Sequence, residues 1–311
     1  MVQVDLITGF LGAGKTTFLR RYAAYLVAQG HHVCILENDF GAVNVDAMLV
    51  QDLLGERCEI ETISGGCDCD THQRRMRTKL ISMAMRGFDR VVVEPSGIFD
   101  VDEFFDVLRD DPLDRWYQLG NVVAIVDALL PEQLSEQADY VLASEAANAG
   151  IVLFSRSQLA SPERLEATQK HLCRALSACK CSRTFQSEDF LTEDWSTLTE
   201  ADFARIDHAG YRQASCEKLH FDEHKAFGSA YFLEPGIPRE KLEANIPSLF
   251  MDSSCGRVLR VKGFVQDASG WVELNATADG LTANPIPNGQ EVLIVIGEGL
   301  QKETIAQKLG G

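Results

Sequence analysis

The chain has 311 residues, 45% hydrophobic and 24% charged, with 29 Lys and Arg against 46 Asp and Glu, a formal net charge of −17. That length suits two domains, and that balance suits a chain able to bury a full core, which excludes disordered and fibrous classes. An acidic chain without a local basic stripe is set aside as a nucleic-acid binder, and the best candidate for a membrane span, residues 122–130, is short and interrupted by Asp127.

In chain order, short apolar runs alternate with segments of helical period, the signature of βαβ units around a mostly parallel sheet. Residues 2–8 read as a strand. Phe18, Leu19, Tyr22, Ala23, Leu26 and Val27 then recur at helical spacing, with Gly30 where a C-terminal cap belongs. Strands are expected at 32–37, 90–93, 122–126 and 151–154, and a helix at 72–86. Ser161, Pro162 and Glu163 open another helix with an N-cap, a proline at the first position and an acid in the first turn. The acidic stretch 191–220 reads as a linker between a nucleotide-binding domain at 1–190 and a smaller α+β domain at 221–311. In the latter, strands at 227–233, 257–266, 271–277 and 292–297 are flanked by helices starting at Pro238 and Lys302.

The nine cysteines, with no signal-peptide pattern ahead of them, read as reduced thiols of a cytoplasmic protein. Cys173, Cys179 and Cys181 are expected to be core thiols, and His220 and His224 to lie in a solvated loop.

Between the first strand and the first helix stands Gly9-Phe10-Leu11-Gly12-Ala13-Gly14-Lys15-Thr16, the pattern of a phosphate-binding loop. Glycines let the amides of Gly12, Ala13, Gly14 and Lys15 curl around a phosphate at the positive end of a helix. In that role Lys15 bridges the terminal phosphates and Thr16 ligates Mg²⁺. A buried strand ends at Glu94-Pro95-Ser96-Gly97, where such folds put a carboxylate facing Mg²⁺ and an amide, here that of Gly97, that senses the γ-phosphate. Glu37 to Asp46 occupies the place of a loop ordered by the γ-phosphate and released on hydrolysis, with Asp39 on the nucleotide side.

These residues, continued through Thr17, together with Glu37-Asn38-Asp39-Phe40-Gly41, Gly65-Gly66-Cys67-Asp68-Cys69, Glu94-Pro95-Ser96-Gly97 and Val126-Asp127-Ala128, resemble the CobW-type metal-chaperone GTPases. Those are relatives of the nickel-insertion GTPases of urease and hydrogenase maturation. Arg260 to Phe264 and Val295 to Gly297 are similar to the family's C-terminal domain. The resemblance implies a P-loop GTPase with a second, smaller domain, a transition metal, and a client metalloprotein.

Two departures stand out. The family's Cys-x-Cys-Cys motif reads Cys67-Asp68-Cys69-Asp70 here, so the expected metal ligands are Cys67, Cys69 and Asp70, with help from Glu37 or His72. A carboxylate in place of a thiolate moves preference toward Zn²⁺, Co²⁺ or Fe²⁺. The guanine-reading Asn-Lys-x-Asp motif reads Ser155-Arg156-Ser157-Gln158. Gln158 offers only a neutral carbonyl oxygen, which weakens guanine selectivity and opens the site to ATP, while Arg156 can stack on a purine. The expected function is a slow, nucleotide-hydrolysing metallochaperone or cofactor-assembly factor. The alternative is a metal-independent nucleotide switch for a client, such as a corrinoid enzyme. A small-molecule kinase shares the phosphate loop, but the second domain argues against it.

Overall fold

The computed structural model describes residues 1–39, 53–64, 69–95, 101–217, 219, 227–286 and 289–310, with backbone alone at 38, 39, 64 and 69–72. The chain divides into two units, Met1–Leu219 and His220–Gly311.

In the first unit, strands β1 (Val2–Thr8), β2 (Val33–Asp39), β3 (Cys58–Ser64), β4 (Arg90–Glu94), β5 (Tyr117–Asp127), β6 (Ile151–Ser155) and β7 (Phe190–Leu191) form one sheet in the order β3-β2-β4-β1-β5-β6-β7. Every adjacent pair is parallel. The strands Arg-Val-Val-Val-Glu and Ile-Val-Leu-Phe-Ser are buried throughout, as strands covered on both faces must be. The connecting helices are α1 (Lys15–Ala28), α2 (Cys69–Ala84), α3 (Val101–Arg109), α4 (Leu113–Trp116), α5 (Glu136–Ala147), α6 (Pro162–Ala178) and α7 (Glu200–Asp207). The apolar stripe expected on α1 is the one it buries, since Phe18, Leu19, Tyr22, Ala23 and Leu26 have no exposed surface. Ser161 caps α6 as its sequence implies, accepting from the Arg164 amide at 3.3 Å.

One sequence expectation is corrected here. Residues 191–217 are no linker: Leu191, Trp195 and Ile206 sit in the core that α1 and the sheet share. Asp207, at the end of α7, joins a polar knot on the N-terminal side of the strands. There Arg90 bonds Asp5, Asp207 and the Tyr22 hydroxyl, and Asn121 bonds Asp5 through both its amide nitrogens. An acidic, Thr-rich composition looked like solvated chain, but its apolar side chains enter the core and Asp207 ties it to the knot.

The second unit is an antiparallel sheet in the order β11-β10-β9-β12-β8, made of β8 (Phe227–Leu233), β9 (Arg257–Asp267), β10 (Gly270–Thr277), β11 (Gly280–Ile286) and β12 (Val292–Glu298). Helices α8 (Arg239–Met251) and α9 (Lys302–Leu309) cover one face, where Leu242, Ile246, Leu249, Ile305 and Leu309 pack on Val261, Leu274, Leu293 and Val295. The order of elements is the expected one with one addition. Strand β11 is a mostly exposed edge strand carrying Pro285, which is tolerated only at an edge, and its apolar face is short, with Leu281 and Ala283 half-buried against the core.

Candidate functional site

The loop between β1 and α1 needs its glycines. Gly9, Gly12 and Gly14 have φ of 140°, 79° and 104°, and a Cβ on Gly9 would lie 2.3 Å from the Ile125 carbonyl oxygen. Gly14 caps α1 in the left-handed region, and the helix has neither a side-chain cap nor an acid in its first turn. Its positive end therefore faces the loop with no cap or acid from the helix itself against it, the arrangement that suits an anion. The Ala13 amide closes a turn onto the Phe10 carbonyl at 3.0 Å.

Lys15 and Thr16, each 8% exposed, begin α1. The Lys15 ammonium donates to the Gly9 carbonyl at 2.8 Å, folding back across the loop. The Thr16 hydroxyl donates to Glu94 Oε1 at 2.8 Å. Thr17 is exposed. Glu94 ends β4 and is in register with Glu37 of β2, so two buried carboxylates stand at one level on neighbouring strands. Like charges so placed favour a cation between or beside them.

Behind the loop lies a residue the sequence reading missed. Glu145 of α5 is 1% exposed. Its carboxylate accepts the Gly9 amide at 3.1 Å, and its backbone carbonyl accepts the Thr8 hydroxyl at 2.6 Å. The only available signal was an acid inside the apolar run Val141-Leu142-Ala143-Ser144-Glu145-Ala146-Ala147.

At the other side of the loop, β6 ends at Ser155, which is buried. A Cβ on Gly14 would be 3.5 Å from both the Ser155 Cβ and the Trp195 ring. Trp195 meets Phe18 edge-on at 5.5 Å between ring centres, and its carbonyl accepts from Arg21 at 2.7 Å. Trp195 thus walls the phosphate loop from a segment expected to be linker. Arg156, in a left-handed turn with φ 56°, gives its guanidinium to Asp127, with Nε to Oδ1 at 2.9 Å. Its charged end is tied to the carboxylate, leaving the stem as the part that can lie along a base. Ser157 donates to the Glu193 carbonyl at 3.0 Å, and Gln158 is exposed.

Of the expected metal ligands, Cys69 and Asp70 begin α2, while Cys67 and the side chains of Cys69, Asp70 and His72 lie outside the described residues, as do Gly97, His220, His224 and most of the loop 37–46. Asp39 is described only as the last backbone position of β2. Among the described residues, no group of three or more His, Cys, Asp or Glu is arranged to hold a metal, and no helix is long and apolar enough to cross a membrane.

The family model of the CobW/HypB/UreG nucleotide-binding domain matches residues 3–182. This chain belongs to that family. The matched stretch runs from β1 through the end of α6 and contains the phosphate loop, Glu37, Glu94 and the turn after β6. Among curated proteins, the chain is 31% identical over 169 residues to the zinc chaperone YjiA of Escherichia coli, covering 51% of this chain and 50% of the relative. It is 30% identical over 173 residues to the zinc chaperone YeiR of the same organism, covering 55% and 51%. It is 27% identical over 180 residues to the zinc-regulated GTPase metalloprotein activator 1 of Schizosaccharomyces pombe, covering 56% and 43%. The chain spans about half the length of the curated relatives it matches. A solved Zn(II)-bound YjiA GTPase from E. coli aligns with all of this chain and 98% of its own at 20% identity, with a TM-score of 0.36, too loose a likeness to bear on function.

Proposed function

We propose that the chain is a nucleotide-hydrolysing metallochaperone. It takes a nucleoside triphosphate, GTP or ATP, at residues 9–16 and couples that state to a transition-metal cargo, Zn²⁺ or Co²⁺, destined for a client metalloprotein. The observation that supports this most is the Thr16–Glu94 hydrogen bond at the head of α1, with Glu37 level with Glu94 on the next strand. A hydroxyl backed by buried carboxylates fits Mg²⁺, and Thr16 with Glu94 behind it would hold the ion, which neutralises charge on the terminal phosphates when bound. Lys15 exchanges its bond to the Gly9 carbonyl for phosphate oxygens, and Glu145 keeps the Gly9 amide fixed while it does so.

The cargo site in this reading is made by Cys67, Cys69 and Asp70 with Glu37. Its support is the thiolate spacing and the names of the relatives, two of them zinc chaperones. Coupling requires that cargo and γ-phosphate prefer the same conformation of the loop 37–46. Glu37 and Asp39, on the strand that leads into that loop, are what joins the two sites. Turnover is slow in this reading. Arg74, Arg75 and Arg77, the arginines nearest the cysteines in sequence, are exposed on α2, and Arg77 is held by the Asp111 carbonyl. Base preference is shallow because Gln158 replaces a carboxylate. A second reading, a nucleotide switch without metal, is favoured by Asp70 standing where the third thiolate would be.

Calorimetric titration of Zn²⁺ and Co²⁺ into the reduced protein tests the proposal. It is run with Mg²⁺ and a non-hydrolysable GTP analogue, its ATP counterpart or no nucleotide, and repeated on Cys67→Ser/Cys69→Ser. Tight metal binding that needs a triphosphate and both thiols is the expected result. Metal binding indifferent to both leaves the metal-free switch as the better account.

A further inference from the structure

Three of the chain's cysteines meet away from the nucleotide site. Cys179 caps α6, Lys180 turns the chain with a left-handed φ of 49°, and the Cys181 amide closes the turn onto the Leu176 carbonyl at 2.9 Å. Residues 211–217 run back beside this turn. Arg212 donates to the Asn148 carbonyl at 3.0 Å and Ala214 to the Asn148 side chain at 3.1 Å. Ser182 donates to the Ser215 carbonyl at 3.2 Å and Glu217 to the Cys179 carbonyl at 2.8 Å, with an ion pair between Lys180 and Glu217 at 2.5 Å.

As one segment advances from 179 to 182, the other retreats from 217 to 215, so the two are antiparallel. The amide of Ser182 bonding Ser215 and that of Glu217 bonding Cys179 bracket Cys181 and Cys216 on the two facing segments, and each thiol lies within electrostatic reach of the other. Facing residues in an antiparallel pair have Cα atoms about 4.5–5.5 Å apart, inside the span of roughly 4.4–6.8 Å that a disulfide tolerates. Both cysteines are partly exposed, and Cys216 also lines a narrow cleft with Asp102, Ser144 and Asn148. By contrast, Cys34 and Cys58 are buried, and Cys173 is exposed on α6 rather than in the core.

We propose that Cys181 and Cys216 are a redox-active pair that closes to a reversible disulfide on meeting a peroxide or a small disulfide. With hydrogen peroxide, the Cys181 thiolate attacks one oxygen, the O–O bond breaks, and hydroxide leaves and takes up a proton as water. Cys181 is then a sulfenic acid. The Cys216 sulfur attacks it, the S–S bond forms, the S–O bond breaks, and the Cys216 proton leaves with the hydroxyl as a second water. Two thiols lose two electrons and one peroxide gains them. Burial, and then the neighbouring Cys181, raise the Cys216 thiol, so Cys181 is the sulfur that attacks and Cys216 the one that resolves. The new bond closes a loop over 182–215, which carries β7, Trp195 and α7, and thereby fastens the segment that walls the phosphate loop.

The test uses the full chain, reduced and then freed of reductant. It is treated with hydrogen peroxide or glutathione disulfide, its remaining thiols are blocked, and non-reduced peptides are mapped by mass spectrometry. A peptide pair joined through Cys181 and Cys216, lost with dithiothreitol and retained in Cys67→Ser/Cys69→Ser, is the expected result. It is accompanied by a rise in Tm of roughly 5–10 °C. Cys216→Ser is expected to abolish the link and leave Cys181 as a sulfenic acid that dimedone labels. Cys181 and Cys216 both staying free at doses that oxidise other cysteines, or Cys181 joining a different cysteine, overturns the proposal.

Discussion

Two sets of buried polar groups lie toward opposite ends of the parallel strands, and they are built on opposite principles. Toward the N-terminal ends of the strands, Arg90 is ringed by Asp5, Asp207, Tyr22 and Asn121, so each charge is answered within the protein. Burial pulls the Arg90 guanidinium down, and Asp5, Tyr22 and Asp207 more than reverse this, leaving it above its usual range. At the C-terminal ends, Lys15 bonds a neutral carbonyl, Glu37 and Glu94 stand level on adjacent strands, and the first turn of α1 holds no acid of its own. The first set answers its charges within the fold; the second is, in the function proposed above, where the charges of a nucleotide and its Mg²⁺ would be received.

The contrast makes its sharpest prediction at Arg90. Arg90→Ala leaves Asp5 buried without its cation and is expected to cost about 3–5 kcal/mol, read as a shift in the urea midpoint. A loss under 1 kcal/mol would mean that the knot is not what secures α7. Glu145→Ala removes the carboxylate that accepts the Gly9 amide and is expected to cost about 1–3 kcal/mol. Because Glu145 supports the loop from behind, it should weaken nucleotide binding as well, linking the two behaviours in one variant.

The glycine-rich loop was legible because its chemistry leaves so few residue choices: Gly9, Gly12 and Gly14 take backbone conformations that other residues rarely adopt, and the proposed function asks for Lys15 at the phosphates and Thr16 at Mg²⁺. The strands β4 and β6 were legible because strands buried on both faces read as nearly continuous apolar runs. What escaped notice did so for physical reasons. Glu145 acts through tertiary contact and carries no local pattern. Trp195 is one aromatic in an acidic stretch, and its partners Phe18 and Gly14 are far away in sequence. Strand β11 is an exposed edge with a proline. That Asp127 holds the charged end of Arg156, leaving its stem for a base, depends on the register of β5 and β6.

Base choice sharpens the comparison at the ligand end. Restoring a carboxylate with Gln158→Asp is expected to raise the preference for GTP over ATP about tenfold, measured by competition against a fluorescent nucleotide; an unchanged ratio would place base recognition elsewhere. The smallest effect concerns pH. Burial first, with Glu61 next for Cys34 and Glu59 for Cys58, pushes these thiols from 9.0 to about 12 and about 11. The folded chain keeps protons that the unfolded chain releases, so this contribution is whole below pH 9 and declines as pH rises toward 11 and 12. Unfolding midpoints between pH 8 and 11 should fall more gently in Cys34→Ala than in the parent protein.

The central claim is that the C-terminal end of the sheet is built for a triphosphate rather than for stability. Thermal unfolding of the parent protein and of Lys15→Ala, each with and without Mg²⁺ and a non-hydrolysable GTP or ATP analogue, tests it most directly. The account predicts midpoints that nearly coincide without nucleotide, a clear rise for the parent at saturating analogue, about 2.7 kcal/mol at a hundredfold excess over Kd, and no rise for Lys15→Ala. A parent midpoint that ignores both analogues, or an equal rise in the variant, would contradict it.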